Sequence, residues 1–303
     1  MICGGIDLGG TKIEARFFDG PDTATIEKRR VPTPLSSFDE MIDALVDQIE
    51  WLRAQGGNDL PIGVCVPGVI DRETGICYAS NIPSTGHSIE AAVKERIDMA
   101  IPVINDCMAF AFSEAMNGAG QGEASVMGLI LGTGVGGGYV LNGELPYREN
   151  GLAIEIGHVG MPLRAATRHN LPVFTCGCGK VACMENYMSG TGFANIAEHV
   201  TGQRIGAHEL HVVDTNLAER LLNIWTDIVA ECLYTIQVML DPGCIVLGGG
   251  ASQIPNLTGR LEVALERHRL GHVAAPKIRL ALHGDSSGAR GAGLAALEFA
   301  GTK

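Results

Sequence analysis

The sequence lacks a basic excess. Its 22 lysines and arginines face 34 aspartates and glutamates, for a formal charge of −12. Binding to a phosphate backbone is driven by neutralising cations, so this balance argues against a nucleic-acid partner. Long apolar runs are also missing. No stretch near 18 residues escapes a charge or a helix-disfavouring cluster, and no membrane span is expected. The opening residues carry no basic segment before an apolar core and cleavage site, so a secretion signal is not expected. A disulfide framework is absent from the pattern of the nine cysteines. Three sit together in Cys176-Gly-Cys178-Gly-Lys-Val-Ala-Cys183, while Cys3, Cys65, Cys77, Cys107, Cys232 and Cys244 are scattered, mostly among apolar neighbours. A reducing, cytoplasmic compartment fits that usage.

What is present points to a folded globular chain. Hydrophobic residues make up 46% and charged residues 18% of 303 positions, a length suited to about two domains. Glycine occurs 41 times with no three-residue period, which implies many tight turns or close backbone approaches. Strands are expected at Cys3 to Ile6 and Ile13 to Phe18, around a glycine turn from Asp7 to Lys12. Further strands are expected at Ile62 to Val66, Val103 to Ile104, Val126 to Leu131, Tyr139 to Leu141 and Ile245 to Leu247. Helical spacing of apolar residues marks Phe38 to Leu52, Ser88 to Met99, Met108 to Met116 and residues 215–240, with a last helix from Asp285 or Ser286. This is an α/β order, with a first domain over 1–118, completed by the helix 286–303, and a larger one over 119–285.

Three glycine-rich turns follow apolar strands: Asp7 to Lys12, Gly132 to Gly138, and Gly248 to Gly250. Each alone is compatible with a plain tight turn. Recurring after strands, and once with Asp7, Thr11 and Lys12, they suit phosphate, because backbone N–H groups with no Cβ in the way can converge on one anion. Asp7 is placed to hold Mg2+. Neither the dinucleotide signature nor the Walker spacing is present, since no helix follows the first glycines and no Gly-Lys-Thr ends the loop.

Asn105-Asp106 stands between a strand and a helix. Asp106 is either a helix-capping carboxylate or a general base facing a hydroxyl substrate, with Asn105 beside it to donate and accept hydrogen bonds. Cys176, Cys178, Cys183 and His158 form a Cys3His set, the composition of a closed structural zinc site. Zinc there would join the segment bearing Glu155 to the segment bearing Glu185. Both carboxylates are open to a bland reading as well, as a helix cap and a solvated charge.

Asp7-Leu-Gly-Gly-Thr-Lys12, Pro67-Gly68, Asn105-Asp106, Gly132-Thr-Gly-Val-Gly-Gly-Gly138, Glu155-Ile-Gly-His158, the Cys176–Cys183 cluster and Gly248-Gly249-Gly250 follow one another in the order of the ROK family, which the chain resembles over essentially its whole length. That family contains sugar kinases and sugar-responsive repressors. The resemblance implies the actin-like ATPase (ribonuclease H-like) fold, with two α/β domains around a central cleft, and a reaction between ATP and a hexose. It implies Asp106 as the base, with Asn105, Asp106, Glu155, His158 and Glu185 as sugar contacts. Asp7, Gly9, Gly10, Thr11 and Lys12 match the first phosphate segment, and Gly132, Thr133 and Gly134 match the second. Gly248, Gly249 and Gly250 would lie along the nucleoside, and His158, Cys176, Cys178 and Cys183 match the zinc ligands. Mg2+ would accompany ATP, and family members are commonly homodimers.

Repressor members carry a helix-turn-helix domain ahead of this fold. Here the first glycine hairpin starts at residue 3, so a kinase is expected. Met127 to Gly138, Glu185 to Gly190 and Val31-Pro-Thr-Pro34 resemble the branch that phosphorylates N-acetylglucosamine. His283-Gly-Asp-Ser-Ser-Gly288 leans toward the fructose and mannose branch, but the tryptophan which that branch and many glucokinases carry soon after the position of Asn81 is missing. Two departures stand out. Cys107-Met108-Ala109 replaces the usual Ala-Asn-Ala, and Ala182 stands where the cysteine loop usually has glycine. If position 182 needs a positive φ, alanine costs about 1 kcal/mol there.

Overall fold

The computed structural model describes residues 2–19 and 24–301. It divides into two compact units. One holds residues 1–121, 138–154 and 282–303, the other 122–137 and 155–281.

The first unit opens with β1 (Cys3–Leu8), β2 (Lys12–Asp19) and β3 (Ala24–Pro32), then α1 (Phe38–Gly56) and β4 (Ile62–Val66). After the two-residue strands β5 (Val69–Ile70) and β6 (Cys77–Tyr78) come α2 (Ile89–Ile97), β7 (Val103–Asn105) and α3 (Asp106–Ala115). The five-stranded sheet has the order β3-β2-β1-β4-β7. β1 and β2 are an antiparallel hairpin with Cys3 opposite Phe18 and Leu8 opposite Ile13, while β1, β4 and β7 run parallel. The first turn is therefore shorter than the sequence suggested. Asp7 and Leu8 belong to β1 because both still pair with β2, leaving Gly9, Gly10 and Thr11 as the connection.

α1 buries Met41, Ile42, Leu45, Ile49 and Leu52, one helical face, against Ile6, Leu8, Ile13 and Val64 of the sheet. Ser37 caps it by accepting from the backbone N of Glu40 at 3.2 Å. β3 escaped the sequence reading because it is mostly exposed and polar, with no alternation to detect. Its Arg30 joins Arg16 and Lys12 around Glu14, a carboxylate fully buried in β2.

The second unit begins with β8 (Ser125–Leu131); the next strand, β9 (Val135–Leu141), starts in it and passes into the first unit at Gly138. Gly136, Gly137 and Gly138 were expected in the turn, but they are strand residues; only Gly132, Thr133 and Gly134 separate the strands. The expected strand over Tyr139 to Leu141 is the second half of β9, and the glycines' lack of side chains hid its first half from any hydrophobic pattern. Then follow α4 (Leu163–Arg168), α5 (Glu185–Met188), α6 (Gly190–Thr201), α7 (Thr215–Leu240), β10 (Cys244–Gly248), α8 (Leu257–Leu265) and β11 (Lys277–Leu280). The sheet order is β11-β10-β8-β9, with β10 parallel to both β8 and β11.

α7 has the limits its pattern demanded. Asp214 caps its start by accepting from Asn216 N and Leu217 N, and Asp241 ends it with φ +43 just before Pro242. Two buried carboxylates on α7, Asp227 and Glu231, are satisfied by Arg164, Arg168, His169 and His268. No helix among the described residues is long and apolar enough to cross a membrane.

The chain returns to the first unit with α9 (Ser287–Gly301). This helix lies backbone to backbone on the sheet. A Cβ on Gly5 would sit 1.8 Å from the carbonyl oxygen of Ala289, and one on Gly63 would sit 2.1 Å from that of Ala292. Only glycine fits at those two strand positions.

Candidate active site

In the first unit, three parallel strands end side by side. Asp7 of β1 pairs in register with Cys65 of β4, and Val66 of β4 with Asn105 of β7. The carboxyl ends of the strands thus present Asp7, Cys65 and the Asn105-Asp106 junction together, the edge of an α/β sheet where ligands bind. Burial pushes the Asp7 carboxyl up to about 6; Lys12 opposes the shift and Asp106 adds to it. The Cys65 thiol donates to Asp7 Oδ1 at 3.7 Å. Burial also raises Asp106, against hydrogen bonds from Cys107 and Asn105. Asp106 Oδ1 accepts from the backbone N of Cys107 at 2.8 Å. Two buried carboxylates at one sheet edge, both pushed toward their neutral forms, are suited to a cation and to a transferable proton.

Asn105 sets the position of Asp106. Its Oδ1 accepts from Cys107 N at 2.8 Å and Met108 N at 3.1 Å, capping α3, while Nδ2 donates to Gly68 O at 2.8 Å. The helix therefore starts at Asp106, two residues earlier than its apolar pattern showed. Met108, where the resemblance expects asparagine, packs with its side chain buried. The Gly9–Thr11 turn is pinned from β3's end: Thr33 Oγ1 donates to Gly9 O at 2.6 Å and Thr33 N to Thr11 O at 3.2 Å. Lys12 pairs with Glu14 at 3.3 Å.

The second unit holds the other candidates. Gly134 and Glu185 are adjacent: a Cβ on Gly134 would lie 2.8 Å from Glu185 Oε2. Gly190 N donates to Gly132 O at 2.8 Å. Gly249, with φ +81, abuts the same turn, since its Cβ would be 2.6 Å from Leu131 O. The second and third glycine turns are thereby brought together, with Gly248 closing β10 and Gly250 opening a 3-10 turn. They border a cavity of about 700 Å³, which Thr133, the start of α6 and Ala251 also line.

His158, Cys176, Cys178 and Cys183 each offer a donor atom, and these atoms all lie within 4.8 Å of one another. Cys178 Sγ and Cys183 Sγ are 3.7 Å apart, and Cys176 Sγ is 3.8 Å from His158 Nδ1. Those separations are near the edge of a tetrahedron with Zn–S bonds of 2.3 Å, about 3.8 Å, and far longer than a disulfide bond. The donor set and its spacing fit zinc. Glu185 Oε1 is 2.8 Å from Cys176 Sγ and 3.8 Å from His158 Nδ1, so the cluster and Glu185 are neighbours. Glu155 precedes the 3-10 turn Ile156–His158 and is exposed, its carboxylate unbonded among the described residues. Ala182 has φ +56, the strained conformation its replacement of glycine suggested.

The sequence matches the ROK family model over residues 3–298. The chain belongs to the ROK family. It is 38% identical over 294 residues to N-acetyl-D-glucosamine kinases of Salmonella typhimurium and Escherichia coli, covering 95% of this chain and 97% of each kinase. Among solved structures it resembles a ROK hexokinase from Thermus thermophilus, with a TM-score of 0.85, 32% identity and full coverage of both chains. A ROK glucokinase from Streptomyces griseus, solved with glucose and AMPPNP, shares the fold at a TM-score of 0.79 and 24% identity, over 98% of this chain and all of that one. The fold is the two-domain actin-like ATPase fold of ROK sugar kinases.

Several residues of this ROK chain went unread in the sequence. Cys65 looked like one more scattered apolar cysteine, and only strand pairing reveals that it faces Asp7. Thr33 sat inside the Val31-Pro-Thr-Pro34 run, but nothing local showed that it latches the first turn. His283, part of the segment that leaned toward the fructose and mannose branch, has a structural partner. Its Nε2 lies 2.9 Å from Asn117 O, and its backbone N donates to Glu114.

Proposed function

We propose that this chain is an ATP-dependent hexose kinase that phosphorylates N-acetyl-D-glucosamine at its 6-hydroxyl, with Asp106 as the general base. The near full-length identity of 38% to N-acetyl-D-glucosamine kinases carries the reading. The buried carboxylate pair at the strand ends supplies chemistry consistent with it.

In this reading Asp106 takes the proton of the 6-hydroxyl as that oxygen forms its bond to the γ-phosphorus of ATP and the bond to the ADP oxygen breaks. The products are ADP, N-acetylglucosamine 6-phosphate and a proton. Asn105 fixes the carboxylate's position through the α3 cap and its own side-chain hydrogen bond to Asp106, and in this reading the same amide meets the sugar. Glu155, His158 and Glu185 accept and donate hydrogen bonds to the other hydroxyls. By the family resemblance, Gly9, Gly10, Thr11, Lys12, Gly132, Thr133, Gly134, Gly248, Gly249 and Gly250 contact the nucleotide.

Asp7 is the residue to hold Mg2+: its buried carboxyl, pushed up to about 6, is short of positive charge. Mg2+ held there would offset the charge of the phosphates. His158, Cys176, Cys178 and Cys183 would hold zinc with protein ligands alone, and that would tie the Glu155–His158 turn to the start of α5, which carries Glu185. None of the nine cysteines is in a disulfide, which is consistent with the cytoplasm. A homodimer, implied by the family, belongs to the same proposal and is checked by sedimentation.

The test is initial-rate ADP production with Mg-ATP across N-acetylglucosamine, N-acetylmannosamine, glucose, mannose and fructose. A higher kcat/KM for N-acetylglucosamine than for the others is expected. A preference for fructose, mannose or glucose would replace the sugar and keep the reaction. No turnover in zinc-replete, folded protein would overturn the kinase reading.

A further inference from the structure

The donor cavity of the second unit extends beyond its glycine turns. Its lining includes Arg204, His208 and Glu209, contributed by the segment that follows α6. If the turns at Gly132–Thr133 and Gly250–Ala251 hold phosphates, the nucleoside meets that segment.

Two of these three side chains are already engaged. Arg204 Nη1 donates to Asn195 Oδ1 at 3.0 Å and to Glu198 Oε2 at 3.1 Å. Glu209 Oε2 accepts from Gly206 N at 2.7 Å, closing the 3-10 turn Ala207–Val212 on itself. His208 differs. Its side chain is exposed and its ring makes no hydrogen bond among the described residues; the ring lies over Gly206, where a Cβ would be 2.6 Å from Cε1 and 2.7 Å from Nδ1. Among the described residues that line the cavity, it offers the one aromatic face. Gly206 is what lets the ring fold down there.

We infer that the donor's nucleobase stacks on His208 and is held by its face, so that the site accepts nucleoside triphosphates without strict choice of base. The inference rests on the kinase reading. Every base has a π-face, so stacking tolerates exchange of the base. Discrimination of many thousandfold needs buried groups that hydrogen-bond one base edge and are left unpaired by another. Here Arg204 Nη1 and one Glu209 oxygen are held within the protein, and both side chains are exposed, so a base that leaves their remaining atoms unpaired leaves them to water and edge reading is weak. The choice of donor is then set by the triphosphate and by the presence of an aromatic base.

Calorimetric titration of MgADP and MgGDP into the zinc-replete full chain tests this, using wild type, His208→Ala and His208→Phe. The two diphosphates should bind wild type within about tenfold of each other. His208→Ala should weaken both about tenfold, and His208→Phe should restore them. In turnover, His208→Ala should raise KM for ATP about tenfold with kcat and the sugar KM within twofold. His208 is exposed, so melting temperatures should match. Preference for MgADP by a thousandfold or more, or unchanged binding in His208→Ala, overturns the inference. If wild type nevertheless turns over hexose with ATP, the kinase reading survives that failure. Absence of both nucleotide binding and hexose turnover overturns the two together.

Discussion

Asp7 and Asp106 are held at the same sheet edge by different means, and they should respond differently to loss of charge. Asp106 sits at the first position of α3, its carboxylate on its neighbour's backbone N–H. Asp106→Asn keeps that acceptor, so the melting temperature should stay within a few degrees while kcat falls about 10²–10⁴-fold, measured by ADP release. Asp7 is a buried acid whose folded pKa, about 6, exceeds its ordinary 3.8. The folded state thus binds a proton more tightly than the unfolded chain, and stability falls as pH rises from about 4 to about 6. Above that window the penalty is up to about 3 kcal/mol. In metal-free protein at pH 8, Asp7→Asn should raise the melting temperature, with the gap closing at pH 4 and activity lost throughout. Equal melting curves at pH 8 would refute the buried-charge account.

Ala182 illustrates what a single position reveals from sequence. Its glycine-like setting was visible in the cysteine loop, and its φ of +56 follows. Ala182→Gly should stabilise the protein by about 1 kcal/mol without changing zinc content, read by thermal unfolding and metal analysis. Cys65 and Thr33 were opaque because their roles depend on partners 58 and 24 residues away.

Elements were legible in proportion to how strongly one face is buried and how sharply the ends are capped. α7 combined a long 3.6-residue period with Asp214 before it and Asp241-Pro242 after it, so both limits could be read. α1 ran past Leu52 to Gly56 because its last turn is polar and carries no pattern. β3 is solvated along most of its length, and β9 is rich in glycine; neither offers alternation. The close seat of α9 was also invisible, since small residues on a strand and on a helix announce nothing until they meet. Gly63→Ala tests that seat. With Ala292 O 2.1 Å from the new methyl, the helix must move, and a loss of about 3 kcal/mol or more in denaturant unfolding is expected.

For the molecule as a whole, the sequence shows the chemistry better than the path of the chain. Asp106, Asp7 and the first turn fall in one unit, and the two later turns with the thiol cluster fall in the other. The reading of a first domain over 1–118 with a returning last helix uses motifs that are local. The return of residues 138–154 to the first unit has no local signal, because it is set by packing alone. The proposed zinc site belongs to this scale too. Stripping it with a chelator, or Cys178→Ser, should abolish zinc retention and raise KM for N-acetylglucosamine about 10–100-fold with a smaller change in KM for ATP. Unchanged zinc content, or an unchanged sugar KM in zinc-free protein, would separate the cluster from the sugar.

The seat of α9 on β1 also shapes how the protein is made. On a ribosome β1 emerges first, while the helix that covers one of its faces follows about 280 residues later. At 5–20 residues per second that interval is roughly 15–60 s. The second unit, once α8 and β11 are out, has all its strands and can fold on the tether. The first unit holds a bare sheet face through nearly the whole of synthesis, and nascent chains stalled before α9 should therefore be the ones that bind chaperones and are cut by protease within β1, β4 and α3.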